Sequence, residues 1–317
     1  MVSNYMDRGR SRRSPSLIAV MMLVASSAAP LQTLAAVAKQ KAFPSASAAV
    51  TAAVGAARSG NDKELQTIFG ASSKELLFSG DAVADKERRA TFLEAFDAKH
   101  SLVTKGSSTV LVIGEQSWPF PIPVVKQGKV WLFDTNKGRQ EILNRRIGQN
   151  EIGAIQVCLA YVDAQREYAI SGANGGLREY ALKFRSDPGQ RNGLYWQTAE
   201  GEQVGPLGPL VSEAKKEGYQ AKGSGSKTAP YHGYCYRILK GQGKHAVGGA
   251  FNYVVNGHMI LGFAAVAYPA EYGSSGVMTF IVNHEGVVYQ RMLGANTAKI
   301  AEKMTLYDPD PSWKKVK

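Results

Sequence analysis

Apolar positions along this 317-residue chain change their spacing more than once, and each change predicts a different element. Residues 17–25 are an unbroken apolar run. Residues 45–58 form an alanine-rich helical stretch that ends near Ser59-Gly60. Asn61 with Glu64 makes a capping box for a second helix closing at Gly70. Residues 85–100 place Phe92, Leu93 and Phe96 on one face of an amphipathic helix. Strands are predicted at 108–113 and 129–133. Trp118-Pro119-Phe120-Pro121-Ile122-Pro123 lies between them and reads as an extended edge or loop segment, because alternating prolines cannot continue a central ladder.

A helix over 139–147 precedes Gly148, which is expected to break it from a longer one over 151–169. The longer helix carries Ile152, Ile155, Leu159 and Val162 at three-and-four spacing, an apolar stripe that needs a partner. Short helices are expected at 177–184 and 209–217, then a Gly- and Ser-rich flexible loop at 222–229. From Tyr231 the period becomes that of strands, at 234–239, 250–255, 259–268, 277–282 and 287–290. Asn256-Gly257 is a strong two-residue hairpin turn, and Asn283-His284-Glu285-Gly286 joins the last pair. The fold class is therefore α+β. N-terminal helices with a small sheet come first, then a long helix packed on an antiparallel meander whose open face needs a cover.

The apolar run at 17–25 changes the picture of where the chain works. Arg8, Arg10, Arg12 and Arg13 precede it, and Ala36-Val37-Ala38 supplies a small-x-small cleavage site, the pattern of an export signal. A membrane-spanning helix wants ~20 apolar residues, whereas Ser26, Ser27 and Pro30 interrupt this one. Pro15 and Ser16 stand where a twin-arginine signal has an apolar pair, and no cysteine near the site invites a lipid anchor. The expectation is a periplasmic or secreted protein exported by the general secretory route, with no transmembrane segment after cleavage. Residues 1–38 are then the signal peptide, 39–146 an N-terminal α+β region, and 147–317 a helix-plus-antiparallel-sheet region.

Composition narrows the partners. Four of the 38 Lys and Arg and one of the 26 Asp and Glu precede Lys39, so the remainder carries a net +9. That charge could favour anionic surfaces, but the longest basic cluster is the C-terminal Lys314-Lys315-Val316-Lys317. Nucleic acid is not an expected partner of an exported chain. Two cysteines, Cys158 and Cys235, are too few for a disulfide scaffold. One bridge between helix and sheet and two separately buried thiols both remain open.

No catalytic set stands out. His100, His232, His245, His258 and His284 lack metal-ligand spacing, and no motif implies a cofactor or metal. Gly241-Gln242-Gly243-Lys244-His245 is flanked by strands rather than a helix, so it is a hairpin loop and not a phosphate loop. Gly273-Ser274-Ser275-Gly276 does not fit a nucleophile elbow. Asp308 and Asp310 either form a capped turn or offer oxygens to calcium. Arg145 and Arg146 could grip an anion or brace a junction between halves, with Glu141 or Asp163 as ion-pair partners. Trp118, Phe120, Tyr195, Trp196 and Tyr231, with His232 beside the last, could line a groove for glycan or peptide. Core anchoring is the alternative for each aromatic.

Phe78-Ser79-Gly80-Asp81, the Trp118–Pro123 segment, Phe133-Asp134-Thr135, Arg145-Arg146-Ile147-Gly148 and Asp163-Ala164-Gln165-Arg166-Glu167-Tyr168 resemble the bacterial domain-of-unknown-function 2950 family. So do Gly193-Leu194-Tyr195-Trp196, Gly262-Phe263-Ala264 and Gly276-Val277-Met278-Thr279-Phe280. The resemblance spans nearly the whole chain after the signal and implies exported proteins without an established activity. Cys235 stands where the family pattern has an aromatic, which argues against a general role for it. A helix beginning Asn150-Glu151 and carrying Ala164-Gln165 and Tyr168, then Gly233-Tyr234-x-Tyr236, Ala267-Tyr268-Pro269 and Gly276 to Phe280, more weakly resembles soluble pilin or pseudopilin domains over residues 150–293. This resemblance implies one helix on a four-stranded antiparallel sheet, although residues 139–149 are polar where pilins have a membrane stalk. The function expected is a non-enzymatic binding or assembly protein of the cell envelope, its partner an envelope protein or polymer. The alternatives are a hydrolase of envelope polymers, using His232, His245 or His258 with a carboxylate such as Glu271, and a membrane-surface protein using the basic C-terminus.

Overall fold

In the computed structural model, which describes residues 40–172, 178–197, 204–219 and 229–316, the first layer is helical. The expected signal segment and residues 222–228 of the expected loop lie outside the described residues. Helix α1 (Ala46–Arg58) starts where the Ser45 side chain accepts from the amide of Ala48, and buries Ala49, Val50, Ala53 and Val54. Asn61 caps α2 (Asp62–Phe69) through the Glu64 amide. The Glu64 carboxylate pairs with Lys41 instead of completing the capping box. Gly70, at φ +85°, ends the helix. A single turn, α3 (Lys74–Leu77), leads to α4 (Ala82–Ala98). The motif Phe78-Ser79-Gly80-Asp81 between them has a structural cause. Asp81 caps α4 through the amide of Ala84, and its other oxygen accepts from Gly233 N and Tyr219 Oη, both at 2.8 Å.

Strands β1 (His100–Lys105), β2 (Ser108–Ile113), β3 (Trp118–Pro119), β4 (Val124–Gln127) and β5 (Val130–Phe133) form the small sheet in the order β1-β2-β4-β5, with β3 on β2. The proline segment thus begins as an edge strand, as expected. Strands β1 and β4 escaped the sequence reading. Every residue of β1 is exposed, so it has no alternation to betray it, and His100 opens this strand instead of ending a helix. Strand β2 alternates cleanly, with Thr109, Leu111 and Ile113 buried.

Two expectations about the long helix are corrected. Gly148 does not break it: α5 runs unbroken from Thr135 to Ser171, about 55 Å at 1.5 Å per residue. Its middle is clamped from both sides. Arg146 donates to the carbonyls of Glu75 and Leu76, and Asn150 receives Arg88 and donates to Ser275 O. Glu151 accepts from the amides of Val277 and Met278, both at 3.0 Å. These bonds outweigh the ~1 kcal/mol helix penalty of a glycine. The expected stripe holds at Val162, which is buried, and at Ile155, which is half-buried against the core, but not at its other two members. Ile152 is 61% and Leu159 42% exposed, and the buried face is Ala154, Cys158, Tyr161, Val162, Gln165 and Tyr168. A helix that buries tyrosines and a glutamine cannot be phased from its aliphatic residues alone.

No helix forms over the described residues 178–184. Tyr180 instead bridges to Met259, where its amide donates to the carbonyl. Helix α6 (Gly208–Lys216) carries Pro209 in its first turn, as its sequence predicts. After it come β6 (Tyr234–Leu239), β7 (Gly241–Gln242), β8 (Phe251–Asn252), β9 (Val254–Val255), β10 (His258–Met259), β11 (Ala264–Pro269), β12 (Met278–Asn283) and β13 (Tyr289–Met292). Helix α7 (Thr297–Lys303), β14 (Leu306–Tyr307) and β15 (Lys314–Lys315) complete the chain. The run expected at 259–268 is cut by Gly262 at φ +153°, where a Cβ would lie 2.7 Å from His284 Nδ1. The stretch at 250–255 is likewise two short strands. The hairpin expected at Asn256-Gly257 is present, with φ of 50° and 86° and Val255 paired to His258.

The main sheet is antiparallel in the order β15-β13-β12-β11-β6. All six residues of β11 are buried, so both faces are covered. Strand β6 shows by what. Arg237 donates to the carbonyls of Ala301 and Glu302 on α7, whereas Tyr234 and Tyr236 lie near Cys158 of α5. Period-two alternation puts these groups on opposite faces. The long helix therefore packs on the meander as the fold class required. One apolar cluster, from Phe43 to Leu143, fills the N-terminal part, and another, from Ala154 to Trp313, surrounds the meander. Helix α5 contributes to both.

Candidate functional site

Helix α4 sits loosely on the N-terminal layer. Only Ala84 is fully buried on it, and Phe92, Leu93 and Phe96 stay half-buried. The space beneath is a partly open cavity of about 740 Å³, within the ~300–1,000 Å³ of small-molecule sites. Val50, Ala53, Val54 and Ala57 of α1 form one wall, and Leu111 and Ile113 of β2 another. Phe69, Phe92, Trp118, Phe120 and Phe133 join them, with ring centroids 4.6 Å apart for Phe69–Phe133 and 5.5 Å for Phe92–Phe120.

Polar groups gather where α4 starts and α5 passes. Asp85 accepts from the Ser79 amide at 2.8 Å and pairs with Arg88 at 3.2 Å. Arg88 also donates to Asn150 Oδ1 at 2.8 Å. Arg146 lines the cavity at 6% exposure. One terminal nitrogen reaches Glu75 O at 2.7 Å and Ser274 Oγ at 3.4 Å, and the other reaches Leu76 O. Its Nε has no hydrogen-bond partner, and no carboxylate among the described residues lies within ion-pair distance. Burial, and then Arg88, lower this guanidinium to about 10 against the pull of Asp85.

The sequence-predicted site residues fall in three places. Trp118, Phe120 and Arg146 line the cavity. Arg145 turns outward, pairs with Glu141 at 2.6 Å and stacks over Trp118 at 5.2 Å. Tyr195 receives Lys215 Nζ at 2.9 Å, while Trp196 is buried beneath Arg191. Tyr231 and His232 form a third group with Tyr219, and His232 Nε2 lies 3.4 Å from Glu217. Burial pushes the Glu217 carboxyl and Tyr219 hydroxyl up from their ordinary values.

Two of the other four histidines have carboxylates of their own. His245 bonds Asp308 at 3.0 Å and His258 bonds Glu179 at 2.6 Å. His100 stacks on Phe96, and the His284 carbonyl receives Arg166. Asp310 caps the amide of Ser312 and faces Arg291, the capped-turn alternative. Among the described residues no group of three or more His, Cys, Asp or Glu could hold a metal. Cys158 and Cys235 are thiols, so the bond left open between them is not made here. Lys314 and Lys315 are exposed on the edge strand β15. No helix of the described residues is long and apolar enough to cross a membrane.

The sequence reading missed Asp85, Arg88 and Asn150. The signal available was Asp85 three residues before Arg88, which puts both on one helix face. Nothing local marked Asn150, whose partners lie 62 and 125 residues away.

The chain belongs to a protein family of unknown function, DUF2950, whose model matches residues 40–316. No curated protein and no solved structure matches it.

Proposed function

We propose that this chain is an exported, non-enzymatic binding protein of the bacterial cell envelope, and that its site is the cavity beneath α4. One observation carries the reading: about 740 Å³ of space walled by alanine, valine, leucine, isoleucine and phenylalanine side chains. Apolar walls around a partly open space of that size are left facing water, and an apolar ligand would bury them. The export pattern at residues 8–38 supports the compartment. The histidines support binding over hydrolysis, since His232, His245 and His258 pair with Glu217, Asp308 and Glu179, three separate carboxylates. The helix laid on an antiparallel sheet is also what supports a pilin-like shape for residues 147–317, and with it an assembly role.

The test is to purify the protein from envelope extracts under mild conditions, extract it with organic solvent and identify co-purifying molecules by mass spectrometry. A recurrent stoichiometric apolar molecule is expected, and none should appear when Ala53→Phe fills the cavity. A folded protein that binds no apolar molecule, natural or added, would remove this reading.

A further inference from the structure

The proposed site has a positive charge at one end that the fold balances only in part. The cavity is lined by six ionisable side chains: Asp85, Arg88, Arg89, Glu94, Glu115 and Arg146. Asp85 pairs with Arg88, Arg89 pairs with Asp62 at 2.7 Å, and Glu115 faces Lys99 at 3.7 Å. Glu94 is exposed and hydrated. Arg146 alone is both buried and without a carboxylate. It is bonded to two carbonyls and a hydroxyl, which are dipoles and compensate a full charge poorly. Its Nε–H has no acceptor at all. A buried charge beside an apolar cavity is costly unless something anionic completes it.

Resting on the binding reading above, we infer that the ligand is a single-chain anionic amphiphile. Its hydrocarbon tail lies among Phe69, Phe92 and Phe120, and its acidic headgroup is held by Arg146 with Arg88 beside it. Arg146 and Arg88 set two positive charges against the one carboxylate of Asp85 at this end, an excess that an anionic headgroup balances. Asp85 limits how much negative charge the end tolerates, which favours a headgroup of one charge over one of two. A carboxylate-headed chain fits this best.

Trp118 lines the cavity and reports occupancy through its fluorescence. Hexadecanoate, hexadecyl phosphate and hexadecanol are titrated into the purified full chain stripped of lipid. Hexadecanoate is expected to bind at least about tenfold tighter than hexadecanol, the margin of one charged hydrogen bond. Arg146→Met should shrink that margin to within about threefold while the alcohol binds as before. Ala95→Phe, which intrudes from α4, should weaken all three ligands together.

Equal affinity for acid and alcohol would overturn the headgroup assignment and leave the apolar site standing. Tighter binding of the phosphate than of the carboxylate would overturn the choice of a singly charged head. Failure of every ligand to bind would remove the binding reading itself. The acid-versus-alcohol comparison needs no variant, so it decides even where Arg146→Met does not fold.

Discussion

The guanidinium of Arg146 donates to the backbone carbonyl of Glu75 at 2.7 Å, while the Glu75 carboxylate turns away to pair with Arg139. The same carbonyl also receives the hydroxyl of Ser274 at 3.1 Å. One peptide oxygen therefore joins α3, α5 and the loop between β11 and β12. Neighbouring Arg145 contributes nothing to this junction.

The two arginines should accordingly respond differently to truncation. Arg146→Ala leaves the carbonyls of Glu75 and Leu76 without their donor and opens a void, so a loss of ~2–4 kcal/mol is expected. Arg145→Ala removes an exposed ion pair and a stacking contact on Trp118, worth at most ~1 kcal/mol. Urea unfolding of both variants reads the difference, and equal midpoints would refute it.

Two glycines of α5 should also part ways. Gly148 lies in a helix interior with nothing within 4 Å of where a Cβ would stand, so Gly148→Ala should stabilise by ~0.5–1 kcal/mol. At Gly138 a Cβ would lie 2.5 Å from the backbone of Pro121. Gly138→Ala should cost ~1–3 kcal/mol through overpacking. Thermal melts in opposite directions are the expected result, and a destabilising Gly148→Ala would mean that the helix needs its flexibility there.

Leu159 at 42% exposure and Val162 at 2% give a third contrast. Leu159→Asp should cost less than ~1 kcal/mol, because its charge stays hydrated. Val162→Asp buries an unpaired carboxylate and should unfold the meander half. Circular dichroism of the two proteins separates these outcomes.

That contrast also shows what the sequence could and could not reveal. Strands with one wet face were legible because alternation survives, as in β2, and Asn256-Gly257 fixed its hairpin through backbone preference alone. Helix α4 was legible from Phe92, Leu93 and Phe96, yet not that it stands off the sheet, since a cavity is a property of what fails to touch. The face of α5 was misread because its buried set includes Tyr161, Gln165 and Tyr168. These are satisfied by Ala264 O and Ala181 O, and by Arg191 O, which are remote or lie beyond the helix. Arg146 was singled out for its anion-binding chemistry, but only tertiary contacts separate it from Arg145.

Processing of the chain is expected after Ala38. Arg8, Arg10, Arg12 and Arg13, the apolar run at 17–25 and Ala36-Val37-Ala38 supply the three parts such a signal needs. N-terminal sequencing of protein recovered from the periplasm or medium should begin at Lys39. Recovery in the cytoplasm with residues 1–16 intact would count decisively against export.

Alkaline pH should destabilise the meander half before neutral or mildly acidic pH does. Burial pushes the Cys158 thiol up to about 12 and the Cys235 thiol up to about 11, from an ordinary 9.0. It lifts the Tyr168 and Tyr268 hydroxyls to about 12, from 10.0. All four groups hold their protons more tightly folded than unfolded. Above the unfolded values the native state therefore binds more protons, and stability falls as pH rises. Below pH ~8 these groups are protonated in both states and add no slope. The melting temperature should stay insensitive to them up to about pH 8 and then decline steadily toward pH 12. Thiol reactivity follows the same logic, because the thiolate is the attacking species. At pH 8 a thiol reagent should modify Cys158 only after denaturant opens the contact between α5 and the sheet. Fast native-state labelling of Cys158, or a melting temperature that rises between pH 9 and 11, would show that the helix does not seal this face.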